Sequence, residues 1–306
     1  MTDGTLKVAV AQIRCDLGDV EANASRHAER IGEARDAGAD VLLFPELSLT
    51  GYRLGVDILE VARSRNDPLI AELAAIAPDM SVAFGLVEEG PAAQFYNSSL
   101  VLRGGRLLHL HRKLNLPNYG NLEEGKLFAA GNYVETFTTG APWRQSVLIC
   151  ADLWNPSLVH LAMLHGATML LAPVNSALEA VGAGFSNPDS WRLAVRFYAM
   201  MYGMPILMAN RVGEEAGARF WGGSCIIDPY GEVIADAGEE VDSGADEAAT
   251  NWSISWRASS ARRSAGPVAP RRWTAVSAAF ALATQPATPA SASSDTQSLA
   301  RPRTVP

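Results

Sequence analysis

Between residues 6 and 235 short apolar runs alternate with helical stretches, and two hairpin patterns interrupt the alternation. Leu6–Ile13 alternates as a strand does, and Glu21–Ala37 is an alanine-rich amphipathic helix that stops at Gly38. Asp40–Phe44 reads as a buried strand ending at Pro45-Glu46, followed by a helix over Pro68–Ile76 and a strand over Ser81–Val87. Tyr96–Arg103 and Arg106–His111 flank Gly104-Gly105 as a hairpin. The apolar run 146–153 leads through a turn to a helix at 157–165, a strand at Thr168–Pro173, a helix at Ser190–Tyr202 and a strand at Pro205–Asn210. Gly223–Asp228 and Glu232–Ala235, joined by Pro229-Tyr230-Gly231, form the second hairpin. Strict alternation would give a parallel doubly wound sheet. Hairpins demand antiparallel neighbours, so the pattern predicts an α/β layered fold of mixed sheets in one body.

A chain of 306 residues, 48% of them hydrophobic, can fill such a core. No apolar run is long enough to span a bilayer, and Met1-Thr2-Asp3-Gly4 lacks the basic and apolar regions of a secretory leader. Three cysteines cannot build a disulfide framework, and an odd number fits a reducing cytoplasm, where the chain is expected to act. The net charge of −8 argues against nucleic acid or an anionic membrane as partner. Zinc-type Cys/His spacings, a P-loop and a dinucleotide glycine fingerprint are missing from the sequence, so no cofactor or metal is expected.

The tail differs from the body. Residues 251–306 hold seven arginines and one acid, Asp295, and consist mainly of Ala, Ser, Thr and Pro. That composition buries too little apolar surface to offset its ordering entropy and predicts a disordered tail, in which Trp273–Ala283 is the segment able to dock. So abrupt a change in charge and composition is also what a shifted reading frame would leave.

Cys150 ends the apolar run at a strand–helix junction, where backbone N–H groups favour a thiolate or an oxyanion. A free thiol in such a place is commonly a packing group, so its neighbours decide its reading. Glu46 follows a buried strand, in a position suited to a general base whose pKa desolvation would raise. Lys113, one of only three lysines, ends a hairpin strand and can point at developing negative charge. Glu124, eleven residues on, can hold Lys113 by a charge-assisted bond.

Phe44-Pro45-Glu46, Arg112-Lys113 and Cys150-Ala151-Asp152-Leu153-Trp154 follow in that order. With Asn210-Arg211-Val212-Gly213, Phe220-Trp221-Gly222-Gly223-Ser224 and Asp228-Pro229-Tyr230-Gly231, they resemble the motifs of the nitrilase superfamily of carbon–nitrogen hydrolases over roughly residues 6–240. The resemblance implies a four-layer αββα sandwich over residues 1–250, with 251–306 as a tail, and a homo-oligomer. It implies hydrolysis of a non-peptide C–N bond in a small amide. Glu46 would be the base, Cys150 the nucleophile that becomes a thioester, Lys113 the oxyanion donor, and Glu124 a second acid orienting Lys113. Tyr52, Trp154, Asn175 and Ser176 would line the substrate pocket, whereas Cys15 and Cys225 read as structural.

Ala151-Asp152 after the cysteine, in place of Trp-Glu, favours an amidase over a nitrilase. Leu116-Pro117-Asn118-Tyr119-Gly120 is similar to the glutaminase domain of glutamine-dependent NAD synthetases, which keeps an ammonia-donating subunit as an alternative. A non-catalytic binding protein on the same fold is a second alternative, and the retained Glu, Lys and Cys argue against it. A Cys–His hydrolase would have to draw on His109, His111, His160 or His165, none of which sits in a recognisable signature.

Overall fold

The computed structural model describes residues 5–239, apart from 53, 121, 141 and 183, and the strand segments 254–258 and 273–276. In the first sheet, β1 (Thr5–Val10), β2 (Val41–Leu43) and β3 (Ser81–Glu89) run parallel, and β4 (Phe95–Arg103) and β5 (Arg106–Arg112) extend it antiparallel. The second sheet has the same plan. There β6 (Phe137–Gly140) lies antiparallel to β7 (Trp143–Val147), which runs parallel to β8 (Met169–Val174) and β9 (Ile206–Asn210). A two-stranded ribbon, β10 (Val212–Glu215) and β11 (Ala218–Trp221), then leads to β12 (Cys225–Ile227) and β13 (Val233–Asp236), which finish the sheet antiparallel beyond β9.

Alternation along the strands creates the layers, because successive side chains point to opposite faces. Val8, Val10, Val41 and Leu43 of the first sheet meet Val147, Met169, Leu171, Leu207 and Ala209 of the second in a buried core between the sheets. The other faces are equally apolar. Ala9, Leu42, Val82 and Phe84 pack under α1 (Val20–Asp36) and α3 (Pro68–Ile76), with the short α2 (Ile58–Val61) at the edge. Leu170, Ala172, Ile206 and Met208 pack under α4 (Pro156–Leu164) and α5 (Asn187–Tyr202). The result is the expected αββα sandwich with mixed sheets. No described helix is long and apolar enough to cross a membrane.

The structure revises several element limits. The first strand stops at Val10 rather than Ile13, because Arg14 leaves it to bridge Val212 on the ribbon. The run 146–153 is strand only to Val147, and its partner β6 and the β10–β11 ribbon were not legible as strands. Both are four-residue segments whose exposed faces carry Thr, Glu and Arg, leaving almost no apolar period to read. Within the tail, β14 (Ile254–Ala258) pairs antiparallel with β1, and β15 (Trp273–Val276) pairs with β14. The remainder of the segment expected to be disordered, including the rest of Trp273–Ala283, lies outside the described residues.

Candidate active site

Three residues after β7 ends, Cys150 opens a single 3-10 stretch, Cys150–Trp154. Its φ is +43°, a left-handed conformation costing an L-residue about 1–3 kcal/mol, so the surroundings must enforce it. Asp152 supplies part of that constraint: its Oδ2 accepts the Ile149 N–H at 3.0 Å, and its own N–H donates to the Ile149 carbonyl at 2.9 Å. The backbone of Asn175, just past the end of β8, acts on the thiol and favours its charged form.

The thiol is not held as a thiolate. Burial pushes its pKa well above the ordinary cysteine value, Glu46 and Glu124 push it further up, and Lys113 and the Asn175 backbone oppose them without reversing the shift. The helix-end position, expected to favour a thiolate or an oxyanion, does not outweigh these effects on the thiol. The 3-10 stretch has only five residues, and nearby carboxylates outweigh its end charge.

Glu46 stands where the chain leaves β2, crosses past the end of β8 in the second sheet and returns to β3. Phe44 still donates to Ala83 beside β2, but the Glu46 N–H donates to Val174 at the end of β8, at 3.3 Å. The crossing needs Gly85 on β3, because a Cβ there would fall 2.2 Å from the Leu47 nitrogen and 2.9 Å from the Glu46 carbonyl carbon. Fully buried, Glu46 accepts from Asn97 Nδ2 at 2.8 Å and Lys113 Nζ at 2.6 Å, both on Oε1.

Lys113 follows β5 directly, its N–H bonded to the Asn97 carbonyl at 2.9 Å and its carbonyl to the Gly131 N–H at 2.8 Å. Gly131 too is required by close approach, since a Cβ would meet the Arg112 oxygen at 2.2 Å. The ammonium is sandwiched between Glu46 and Glu124, 2.7 Å from Glu124 Oε1. Burial alone would lower its pKa, but the two carboxylates more than reverse this and keep it charged. Burial raises the Glu124 pKa, as does Glu46, against the lowering effects of Lys113 and the Tyr52 hydroxyl. That hydroxyl donates to Glu124 Oε1 at 2.6 Å, and burial followed by Glu124 and Glu46 keeps it protonated.

Asp152, Asn97 and Asn115 escaped the sequence reading. Completely buried, Asp152 accepts from His111 Nε2 at 2.9 Å and from the N–H groups of Leu114 and Asn115 at 3.0 and 2.8 Å. Asn115 Nδ2 donates in turn to the Ala151 carbonyl at 2.8 Å. The lysine segment and the cysteine turn are thus bolted together. One signal was available: Asp152 and His111 each stand two residues from a chemical group.

Of the expected pocket residues, Asn175 lies closest to the chemistry, its Nδ2 donating to the Glu46 carbonyl at 3.4 Å. Ser176 spends its N–H on Asn210 and its hydroxyl oxygen on Trp221, so it holds the wall together. Trp154 is partly exposed and packs edge-on against Phe185 and Trp191 at centroid distances of 6.0 and 5.0 Å. Tyr119, half exposed, belongs beside them: burial raises its pKa, and Cys150, Lys113 and Glu124 all act on it. The histidines of the rival hydrolase are engaged elsewhere. His109 stacks on Phe137, His111 bonds Asp152, His160 lies against Tyr202, and His165 bonds the Val134 carbonyl. Cys15 and Cys225 are buried in apolar clusters.

Glu46 Oε2, Glu124 Oε2 and Asn175 Oδ1 are buried without a hydrogen-bond partner. Three acceptors left open on residues that act on one thiol can receive N–H donors from a ligand, and the ammonium beside them can receive negative charge. Among the described residues no group of three or more His, Cys, Asp or Glu is placed to hold a metal ion.

Known proteins resemble the chain in sequence and in fold. The chain is 31% identical over 233 residues to the glutamine-dependent NAD(+) synthetase of Thermotoga maritima, covering 75% of itself but 39% of that protein. The chain therefore spans about two fifths of that relative's length. It is 26% identical over 249 residues to the N-carbamoylputrescine amidase of Arabidopsis thaliana, covering 76% of itself and 82% of the relative. A solved amidase of the nitrilase superfamily from Nesterenkonia AN1 superposes with a TM-score of 0.66 at 26% identity, over 78% of this chain and 88% of that one. The carbon–nitrogen hydrolase family profile matches residues 7–243, and the chain belongs to that family.

Proposed function

We propose that the protein hydrolyses the C–N bond of a small amide bearing N–H groups, through a thioester on Cys150. The observation that carries this reading is the trio of open buried acceptors, Glu46 Oε2, Glu124 Oε2 and Asn175 Oδ1, on three residues that act on the thiol. An amide nitrogen brings hydrogens to such acceptors, while a nitrile brings none and would leave them unpaired at about 1–3 kcal/mol each.

Glu46 takes the Sγ proton as sulfur bonds to the amide carbon, and the carbonyl electron pair moves onto oxygen. Lys113 Nζ and the Ala151 N–H stabilise that oxyanion. Collapse re-forms the carbonyl and breaks the C–N bond, the nitrogen taking the proton from Glu46 and leaving as ammonia or an amine. Water then gives a proton to Glu46 and attacks the thioester. The second collapse breaks the C–S bond, frees the acid and returns the proton to sulfur. A protonated resting thiol beside an acceptor carboxylate suits this order of events.

One other reading has its own support: the segment Leu116–Gly120 and the synthetase relatives favour glutamine as the amide and ammonia as a product passed to a second protein. A panel of aliphatic ω-amides, N-carbamoyl amines, glutamine and nitriles, assayed for ammonia, separates these cases. Amide turnover that vanishes in Cys150→Ala, with an acyl adduct on the Cys150 peptide after acid quench, supports the proposal. Turnover surviving in Cys150→Ala, or nitriles alone as substrates, would overturn it.

A further inference from the structure

Arg211 takes no part in the chemistry above, yet it is one of the largest fully buried side chains in the molecule. Its guanidinium donates to Glu215 Oε2 at 2.5 Å and to the Cys15 carbonyl at 2.7 Å, and lies 4.3 Å from the Phe220 ring centre. Arg211 immediately precedes β10 and Glu215 ends it. Glu215, also buried, presents both carboxylate oxygens to the backbone N–H of Tyr52, at 3.1 and 3.3 Å. Tyr52 is the residue whose hydroxyl rests on Glu124. One connected path therefore runs from Arg211 through Glu215 and Tyr52 to Glu124 and Lys113.

A buried ion pair is a poor source of stability, because desolvation consumes most of its attraction, whereas it is an effective way to fix a position. We infer that the Arg211–Glu215 pair is the rear anchor of Tyr52, and that Tyr52 is a positioning residue that orients Glu124 between Lys113 and the substrate. The pair reaches the site through the Tyr52 backbone N–H. The Glu124 carboxylate receives two donors on Oε1, Tyr52 and Lys113, and this leaves Oε2 as a buried acceptor without a partner. Without the hydroxyl, the carboxylate can rotate about its last bond and present either oxygen to Lys113.

The test rests on the amide-hydrolase reading and uses the whole chain with the best primary amide from the panel. Tyr52→Phe should lower kcat about 10–100-fold while KM moves less than about threefold. It also removes a donor that favours ionised Glu124, so the acidic limb of the kcat profile should move to higher pH. Glu215→Ala should reproduce that limb shift, and the double variant should shift it no further than Tyr52→Phe alone. Glu215→Gln keeps an oxygen for the Tyr52 N–H and should recover most of the activity. A purely structural pair predicts otherwise: lower thermal stability in Glu215→Ala, an unmoved pH profile and losses that add to those of Tyr52→Phe. That result, or an unshifted profile in Tyr52→Phe, overturns the inference. If Glu215→Ala fails to fold, Tyr52→Phe and Glu215→Gln decide alone. If the wild type hydrolyses no amide, the functional proposal fails separately. The anchor is then read from the pH dependence of Cys150 alkylation by iodoacetamide, whose acidic inflection should move upward in the same variants.

Discussion

His111 Nε2 lies 2.9 Å from Asp152 Oδ2, joining a residue two before Lys113 to a residue two after Cys150. The same carboxylate takes the N–H groups of Ile149, Leu114 and Asn115, so one buried side chain sets the cysteine turn and the lysine segment together. Asp152→Ala strands three main-chain donors in the interior, and the expected cost is about 3–5 kcal/mol in urea unfolding. Asp152→Asn keeps one acceptor oxygen and should lose less stability. Any folded fraction of either variant should show amide turnover reduced at least about tenfold, because Cys150 and Lys113 lose their shared reference. An unchanged unfolding midpoint in Asp152→Ala would refute the bolt.

Glu46 and Cys150 carry opposite expectations for thiol reactivity and turnover. Burial raises the thiol pKa first and Glu46 raises it next, so removing the Glu46 charge brings the pKa down. In Glu46→Gln, iodoacetamide should therefore alkylate Cys150 faster at pH 7 than in the wild type, because more thiolate is present. Amide hydrolysis should fall about 10²–10⁴-fold, since the group that accepts the thiol and water protons is gone. Stopped alkylation kinetics with peptide mapping, run beside the ammonia assay, measures both. Slower alkylation together with slower turnover would show that Glu46 assists ionisation in the resting state.

Lys113 contributes stability whose pH window follows from its shift. Burial lowers its pKa, the carboxylates of Glu124 and Glu46 outweigh burial, and the folded value ends above the ordinary lysine value. The contribution is complete below the ordinary value and is lost as pH rises through the raised one. Lys113→Met reverses the trend near neutrality. It takes from Glu124, whose pKa burial and Glu46 already raise, the ammonium that lowers it, so the variant should regain stability as pH falls from 7 toward 5. Urea midpoints at the two pH values check the sign, and kcat should drop about 10²–10³-fold with the oxyanion donor gone.

The groups proposed to act on substrate were legible because each is anchored to a local pattern. Glu46 closes an apolar strand at a proline, Lys113 closes a hairpin, and Cys150 closes an apolar run. Asn97 and Asp152 were not, because their work is done on partners 37 to 51 residues away, to which no local pattern points. The layered fold was legible from hairpins interrupting an α/β alternation, whereas the β6–β7 and β10–β11 pairings rest on strands too short to carry a period. The state of the thiol was not legible from its chain position, because its pKa is raised first by burial and then by carboxylates that folding brings from 104 and 26 residues away.

Gly85 tests whether the chain crossing, and not Glu46 alone, makes the base effective. Its strand lies directly behind the Glu46–Leu47 turn, and an added Cβ would sit 2.2 Å from the Leu47 nitrogen, a contact with backbone that no side-chain rotation relieves. Gly85→Ala must push the turn off β3, costing about 1–3 kcal/mol as overpacking does. The shift carries Glu46 away from Lys113 and Asn97, whose bonds to it are 2.6 and 2.8 Å. Turnover should therefore fall at least about 10²-fold, the scale expected for a displacement near 1 Å at a reacting group. Gly32→Ala is the matched control, since on α1 a Cβ meets nothing within 4 Å. There helix propensity predicts about 0.5–1 kcal/mol of added stability and unchanged turnover. Equal turnover in the two variants would mean that the turn can relax without moving the carboxylate.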